Sequence, residues 1–140
     1  IPSMLNYQIM ADKESMFNTP PVFAVYTSML TLEWLKELGG ISAIEKMNTA
    51  KAHLIYGEID RNPLFKGFAA VEDRSTMSVT FNLADAAHKD RFDALCKEGG
   101  INGLNGHRSV GGYRASIYNA MKIESVQVLV DIMQALEKNS

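Results

Sequence analysis

Apolar residues recur at Val22, Val25, Tyr26, Met29, Leu30, Leu35 and Leu38, close to helical spacing, and predict an amphipathic helix. Thr19 is placed to cap it, and Pro20-Pro21 suit a first turn that needs no amide donors. Gly39-Gly40 stops it. Ser42 with Glu45 three residues on reads as a capping box for a second helix. Its buried stripe is Ile44, Met47, Leu54, Ile55 and Ile59, and it ends before Asn62-Pro63. The period then changes. Met77, Val79, Phe81 and Leu83 alternate with Thr76, Ser78, Thr80 and Asn82, the pattern of a half-buried strand. Asp85 caps a third helix running to about Lys97, with Phe92, Leu95 and Cys96 inward, and Gly99-Gly100 ends it. "INGLNG" reads as a short strand or turn and "GGYRAS" as a second short strand. Val126, Leu129, Val130, Met133 and Leu136 mark a last helix from Glu124 to Glu137. This order predicts an α+β fold, a small mixed or antiparallel sheet with helices packed on one face.

Composition narrows the function more than the fold. The chain has 140 residues, 46% hydrophobic and 21% charged, which suits a single globular domain. A net charge of −2 argues against a nucleic-acid binder, which normally carries a basic excess. Cys96 is the single cysteine and cannot form an internal disulfide, which fits a reducing compartment. No apolar run approaches the roughly 18 residues of a membrane span. The chain opens Ile1-Pro2, and Ile1 to Glu14 show no clean period, as in a chain entered partway through; processing or trimming gives the same appearance.

Two stretches carry candidate chemistry. In "GHRSVGGYRAS", residues 106 to 116, Gly111-Gly112 allows a sharp turn or a close ligand approach. Strand alternation after it puts Tyr113 and Ala115 on one face and Arg114 and Ser116 on the other. Arg114 on a rigid strand suits a bidentate grip on a carboxylate, and His107 with Arg108 suits a phosphate. The competing explanation is a surface turn whose arginines pair with Glu or Asp. In "SMFNTPP", Asn18 and Thr19 precede a helix start that can hold an anion or simply be capped. His53 and His88 lack metal-ligand spacing and read as surface or core-edge residues. Cys96 reads as a small buried hydrophobe and Trp34 as a packing or subunit-contact residue. The eight methionines fall mostly at core-compatible positions.

The stretches "SMFNTPPVFAVY", "WLKELGG" and "GHRSVGGYRASIYNAM" resemble, in order and spacing, the C-terminal region of the phosphoserine aminotransferases, pyridoxal-phosphate enzymes of the fold type I group. The resemblance spans nearly the whole chain. It implies an aminotransferase C-terminal domain at residues 18–140, with residues 1–17 crossing from a large domain. It also implies transamination between glutamate and 3-phosphohydroxypyruvate in serine biosynthesis, with a vitamin B6 side role in many bacteria, in a cytoplasmic homodimer. On this chain, Asn18 and Thr19 would hold the phosphate of pyridoxal 5'-phosphate from the neighbouring subunit. Arg114 would grip the substrate α-carboxylate, and His107 and Arg108 would receive the substrate phosphate.

The family's Schiff-base lysine follows a glutamine, and no Gln-Lys pair occurs here: Gln8, Gln127 and Gln134 precede Ile, Val and Ala. The aspartate facing the pyridine nitrogen and the aromatic stacked on the ring are also missing. The chain alone is therefore expected to be inactive. Ser109 and Tyr113 are smaller departures at positions that vary. Two rivals stand beside this expectation. A free-standing anion-binding regulatory α+β module predicts tight binding of a phosphorylated amino acid by the isolated chain. A nucleic-acid binder predicts affinity that falls steeply with salt.

Overall fold

Two prolines fix where the first long helix starts. In the computed structural model, which describes residues 1–108 and 111–139 and divides into the compact units Ile1–Ile41 and Ser42–Ser140, Pro21 is the residue before helix α2, Val22–Glu37. Thr19 therefore does not cap it, and no side chain does. The proline rings preset the backbone and the turn closes on itself, Val22 N–H donating to Pro20 O at 2.8 Å. A short helix α1, Tyr7–Asp12, precedes it, with Asn6 Oδ1 accepting from Gln8 N–H at 3.0 Å. The apolar stripe of α2 is helical as expected but uncovered. Val22, Val25, Tyr26, Met29 and Leu30 are exposed, and no residue of the helix is buried. A unit of about 40 residues usually buries too little surface to build a core of its own.

Helix α3 spans Gly40–Arg61, and all but its first two residues belong to the second unit. It begins before Ser42, so Ser42 and Glu45 lie inside the first turns and the expected capping box is not its start. Ile44, Asn48, Lys51, Ala52, Ile55, Tyr56, Glu58 and Ile59 form its buried face, while Met47 is exposed. Three strands follow in the antiparallel order β1-β2-β3: β1, Phe65–Gly67, β2, Ser78–Leu83, and β3, Tyr113–Ser116. Periodicity does not reveal β1, because three residues between Pro63 and Gly67 are too few to show alternation. Asp85 caps a short 3-10 turn at Ala86–His88, its Oδ1 accepting from Ala87 N–H at 2.8 Å, and α4, Lys89–Glu98, runs on from there. The last helix, α5, is Ile123–Lys138.

Val79 and Phe81 of β2, with Tyr113 and Ala115 of β3, turn one sheet face into a core shared with α3, α4 and α5. Four rings form its centre. Phe81 stacks on Tyr113 at 5.4 Å, and Phe92 meets Tyr113 and Phe65 edge-on at 5.0 and 5.2 Å. Such pairs contribute about 0.5–1.5 kcal/mol each beyond the area they bury. The arrangement is the α+β layer the pattern predicts. Cys96 is buried, His53 is exposed and His88 half-buried. The methionines depart from expectation: Met133 is fully buried, but Met4, Met16, Met29, Met47 and Met121 are exposed. Among the described residues, no helix is long and apolar enough to cross a membrane.

Candidate functional site

The opposite sheet face carries Thr80, Asn82, Arg114 and Ser116, the positions that alternate with the core residues. Thr80 pairs directly with Arg114 across the ladder. The loop before β3 is drawn tight against it. Gly106 N–H donates to Gly112 O at 2.9 Å, Gly111 N–H to His107 O at 2.8 Å, and Arg114 N–H to Leu104 O at 2.7 Å. Two glycines make this closure possible. A Cβ on Gly106 would overlap the Gly111 carbonyl, and one on Gly112 would strike the Asn82 side chain and sit 2.9 Å from Phe81 O. Gly112 also holds φ at 65°, where an L side chain is strained.

This tight corner brings His107 and Arg114 onto the lining of one hollow of about 200 Å³, floored by Phe68, Thr80, Phe81 and Asn82. Arg114 also borders a second hollow of about 460 Å³ on its other side, between the Gly99–Leu104 turn and the start of α5. Arg108 is exposed and lines neither. Ser109 lies outside the described residues. Among the described residues, neither Arg108 nor Arg114 sits in an ion pair; the cations that do are Arg61, Arg74 and Lys89. The competing explanation, arginines tied up by acidic neighbours, therefore does not describe these two.

Behind the site, Tyr113 is fixed by its hydroxyl, which donates to Asp93 Oδ1 at 2.8 Å. Burial, then this carboxylate, pushes the Tyr113 hydroxyl well above the usual tyrosine value, so it remains a donor. Burial alone would raise Asp93, but its hydrogen bonds from Lys89 and Tyr113 outweigh that and hold it below the ordinary value. The residue next to Arg114 is thus clamped from the core side. Asn18 and Thr19 lie in the Ile1–Ile41 unit, exposed, just ahead of α2. Two exposed side chains with hydrogen-bonding groups before an uncapped helix start are chemically suited to a phosphate oxygen.

Sequence reasoning missed Thr80, Asn82 and Phe68 as hollow-lining residues. The signal for the first two was present, since the alternation that buries Val79 and Phe81 must turn Thr80 and Asn82 outward. The pairing of β2 with β3 was the missing step.

The sequence profile described as aminotransferase class-V matches residues 2–129. The phosphoserine aminotransferase of Flavobacterium johnsoniae is 69% identical over 137 residues, covering 98% of this chain and 38% of that protein. A solved phosphoserine aminotransferase studied for radiation damage of its Schiff base superposes with a TM-score of 0.89 at 45% identity, over 100% of this chain and 40% of that one. The PLP-bound phosphoserine aminotransferase of Trichomonas vaginalis superposes with a TM-score of 0.82 at 36% identity, over 96% of this chain and 39% of its own. The chain thus spans 38% of the length of the Flavobacterium relative it matches. With a family profile covering most of its residues and a fold shared end to end, the chain belongs to the class-V aminotransferases.

Proposed function

We propose that this chain supplies the substrate-anion grip of a phosphoserine transaminase, which converts 3-phosphohydroxypyruvate and glutamate to O-phosphoserine and 2-oxoglutarate. The carrying observation is Arg114 on the open sheet face, in no ion pair among the described residues and sharing one hollow with His107. Both substrates bear an α-carboxylate, which the planar guanidinium of Arg114 matches with two parallel donors. Only one carries a phosphate, which His107, joined by Arg108, addresses. Thr80 and Asn82 shape the floor between them.

Asn18 and Thr19 would hold the phosphate of pyridoxal 5'-phosphate in a homodimer. When bound, that cofactor supplies the electron sink for transamination. Every role assigned to this chain is binding and orientation; the proton-shuttling lysine is expected elsewhere, since no Gln-Lys pair occurs here. In this proposal residues 1–17 are a crossing segment and 18–140 a C-terminal domain of a cytoplasmic enzyme of serine biosynthesis, with a vitamin B6 side role in many bacteria.

The test is kinetic, on the full-length enzyme. Arg114→Ala should raise KM for glutamate and 3-phosphohydroxypyruvate alike, by roughly 10- to 150-fold, from losing charge-assisted bonds of about 1.5–3 kcal/mol. His107→Ala should raise it mainly for the phosphorylated substrate. Equal losses for both substrates in the His107 variant would overturn the division of roles, and an unaffected Arg114 variant would overturn the proposal.

A further inference from the structure

Two polar side chains of α3 are buried away from the hollow and play no part in the grip. Lys51 is 1% exposed, and its ammonium donates to Ile117 O at 2.9 Å and Tyr118 O at 2.7 Å. One turn earlier Asn48, also buried, donates its Nδ2 to Asn119 Oδ1 at 2.8 Å. Its own Oδ1 is buried without a hydrogen bond among the described residues. Ile117, Tyr118 and Asn119 are the three residues immediately after β3. Ile117 N–H, donating to Met77 O at 3.0 Å, makes the last rung between this chain end and the β2 side.

An ammonium in this place is costly for packing alone. Among the described residues no carboxylate pairs with Lys51, and burial pulls its pKa below the usual lysine value. An apolar side chain of similar length would fill the space without the desolvation penalty. What the cation does that an apolar chain cannot is hold two carbonyls that point inward just where the ladder ends. Arg114 lies three residues earlier on the same short strand, roughly 10 Å along it.

We propose that Lys51, assisted by Asn48, is a positioning residue for Arg114: by capping the Ile117 and Tyr118 carbonyls it pins the end of β3 and so fixes where the Arg114 guanidinium points in the hollow it shares with His107. This rests on the reading of Arg114 as the carboxylate grip. Lys51 touches no substrate; it acts through the strand.

The experiment compares Lys51→Met with the unaltered full-length enzyme by hydrogen-exchange mass spectrometry and steady-state kinetics. Exchange across residues 113–119 should accelerate roughly tenfold or more, as expected for lost charge-assisted hydrogen bonds, while α4 is unchanged. KM for glutamate and for 3-phosphohydroxypyruvate should rise together, by up to about 100-fold, with kcat much less affected. Acceleration spread equally through α4, or a local acceleration with KM unchanged, overturns the inference. If Lys51→Met does not fold, Asn48→Ala decides by the same two readouts; the expected changes are in the same direction and smaller, and an unchanged KM overturns it. Arg114→Ala, measured in parallel, separates the failures. A null Arg114 result removes the grip and this inference with it. A normal Arg114 result beside an unchanged Lys51→Met KM removes this inference alone.

Discussion

Gly112 leaves no room for a side chain, and the whole corner depends on it. Its backbone sits at φ 65° with Phe81 O 2.9 Å from where a Cβ would stand and the Asn82 side chain closer still. Backbone strain and collision act together there. Gly112→Ala should destabilise the fold by about 1–3 kcal/mol, read as a lower urea midpoint with unchanged slope. Gly100 is the internal control: its φ is 74°, but nothing stands within 4 Å of an added Cβ. Gly100→Ala should cost only the conformational part, about 1–2 kcal/mol. An equal or larger loss at Gly100 would show that close approach at Gly112 is not what matters. The buried Cys96 gives a residue-scale contrast. Burial, with Asp93 adding to it, pushes its thiol up to about 11, which suits a small core hydrophobe and not a nucleophile.

At the scale of elements, packing separates what the sequence shows from what it hides. The β2 and α5 patterns predict both the elements and their buried positions, because each has a partner surface in the same unit: Val79 and Phe81, and Val126, Leu129, Val130, Met133 and Leu136, enter one core. The same logic misplaces α2. Its stripe at Val22, Val25, Tyr26, Met29 and Leu30 has helical period, yet periodicity says only that a face is apolar, not that something covers it. The site was legible in part. Alternation along "GGYRAS" put Arg114 on the open face, and the glycines announced a turn. That His107 shares its hollow and Arg108 does not is a consequence of loop closure between residues 104 and 114, which has no signature in local spacing. Lys51 was invisible for a similar reason, since its partners are backbone carbonyls 66 and 67 residues away. Paired methionine truncations test the contrast between helices. In the 140-residue chain, Met133→Ala should cost about 2–5 kcal/mol, and Met29→Ala should stay within about 0.5 kcal/mol, both from urea denaturation followed by circular dichroism. Comparable losses would mean that α2 has a partner in solution.

Across the described residues, the buried core lies in the Ser42–Ser140 unit, and its weak point is acid. Glu58 on α3 is the polar hub of that unit. It accepts from Arg61 Nε at 3.1 Å and Nη2 at 2.7 Å, from Asn62 Nδ2 at 2.9 Å and from Gln134 Nε2 of α5 at 3.1 Å. Arg61 also reaches Glu137 at 2.6 Å, so α3 and α5 are tied through one carboxylate and one guanidinium. Burial would raise the Glu58 carboxyl, but these donors, Arg61 first, outweigh it and hold it below its ordinary value of 4.5. A group whose folded value is depressed contributes stability that is full above the unfolded value and is lost as pH falls through the folded one. The Tm should therefore be flat above about pH 5 and drop as pH falls below 4.5. Asp60, lowered chiefly by its hydrogen bonds from Arg74, and Asp93 add to the same acid limb, so Glu58 shares it with two other carboxylates among the described residues. Glu58→Gln separates its share. Whichever carboxylate oxygen the amide NH2 replaces, it meets Arg61 and either Asn62 or Gln134, donors where an acceptor is needed, so the variant should lose about 1–3 kcal/mol near neutral pH. Below the folded value the unaltered protein has lost the same carboxylate, so the two Tm curves should converge as the pH is lowered. Curves that stay parallel down to pH 3 would show that the Glu58 charge contributes nothing to the pH dependence, and that the hub is held by packing around it.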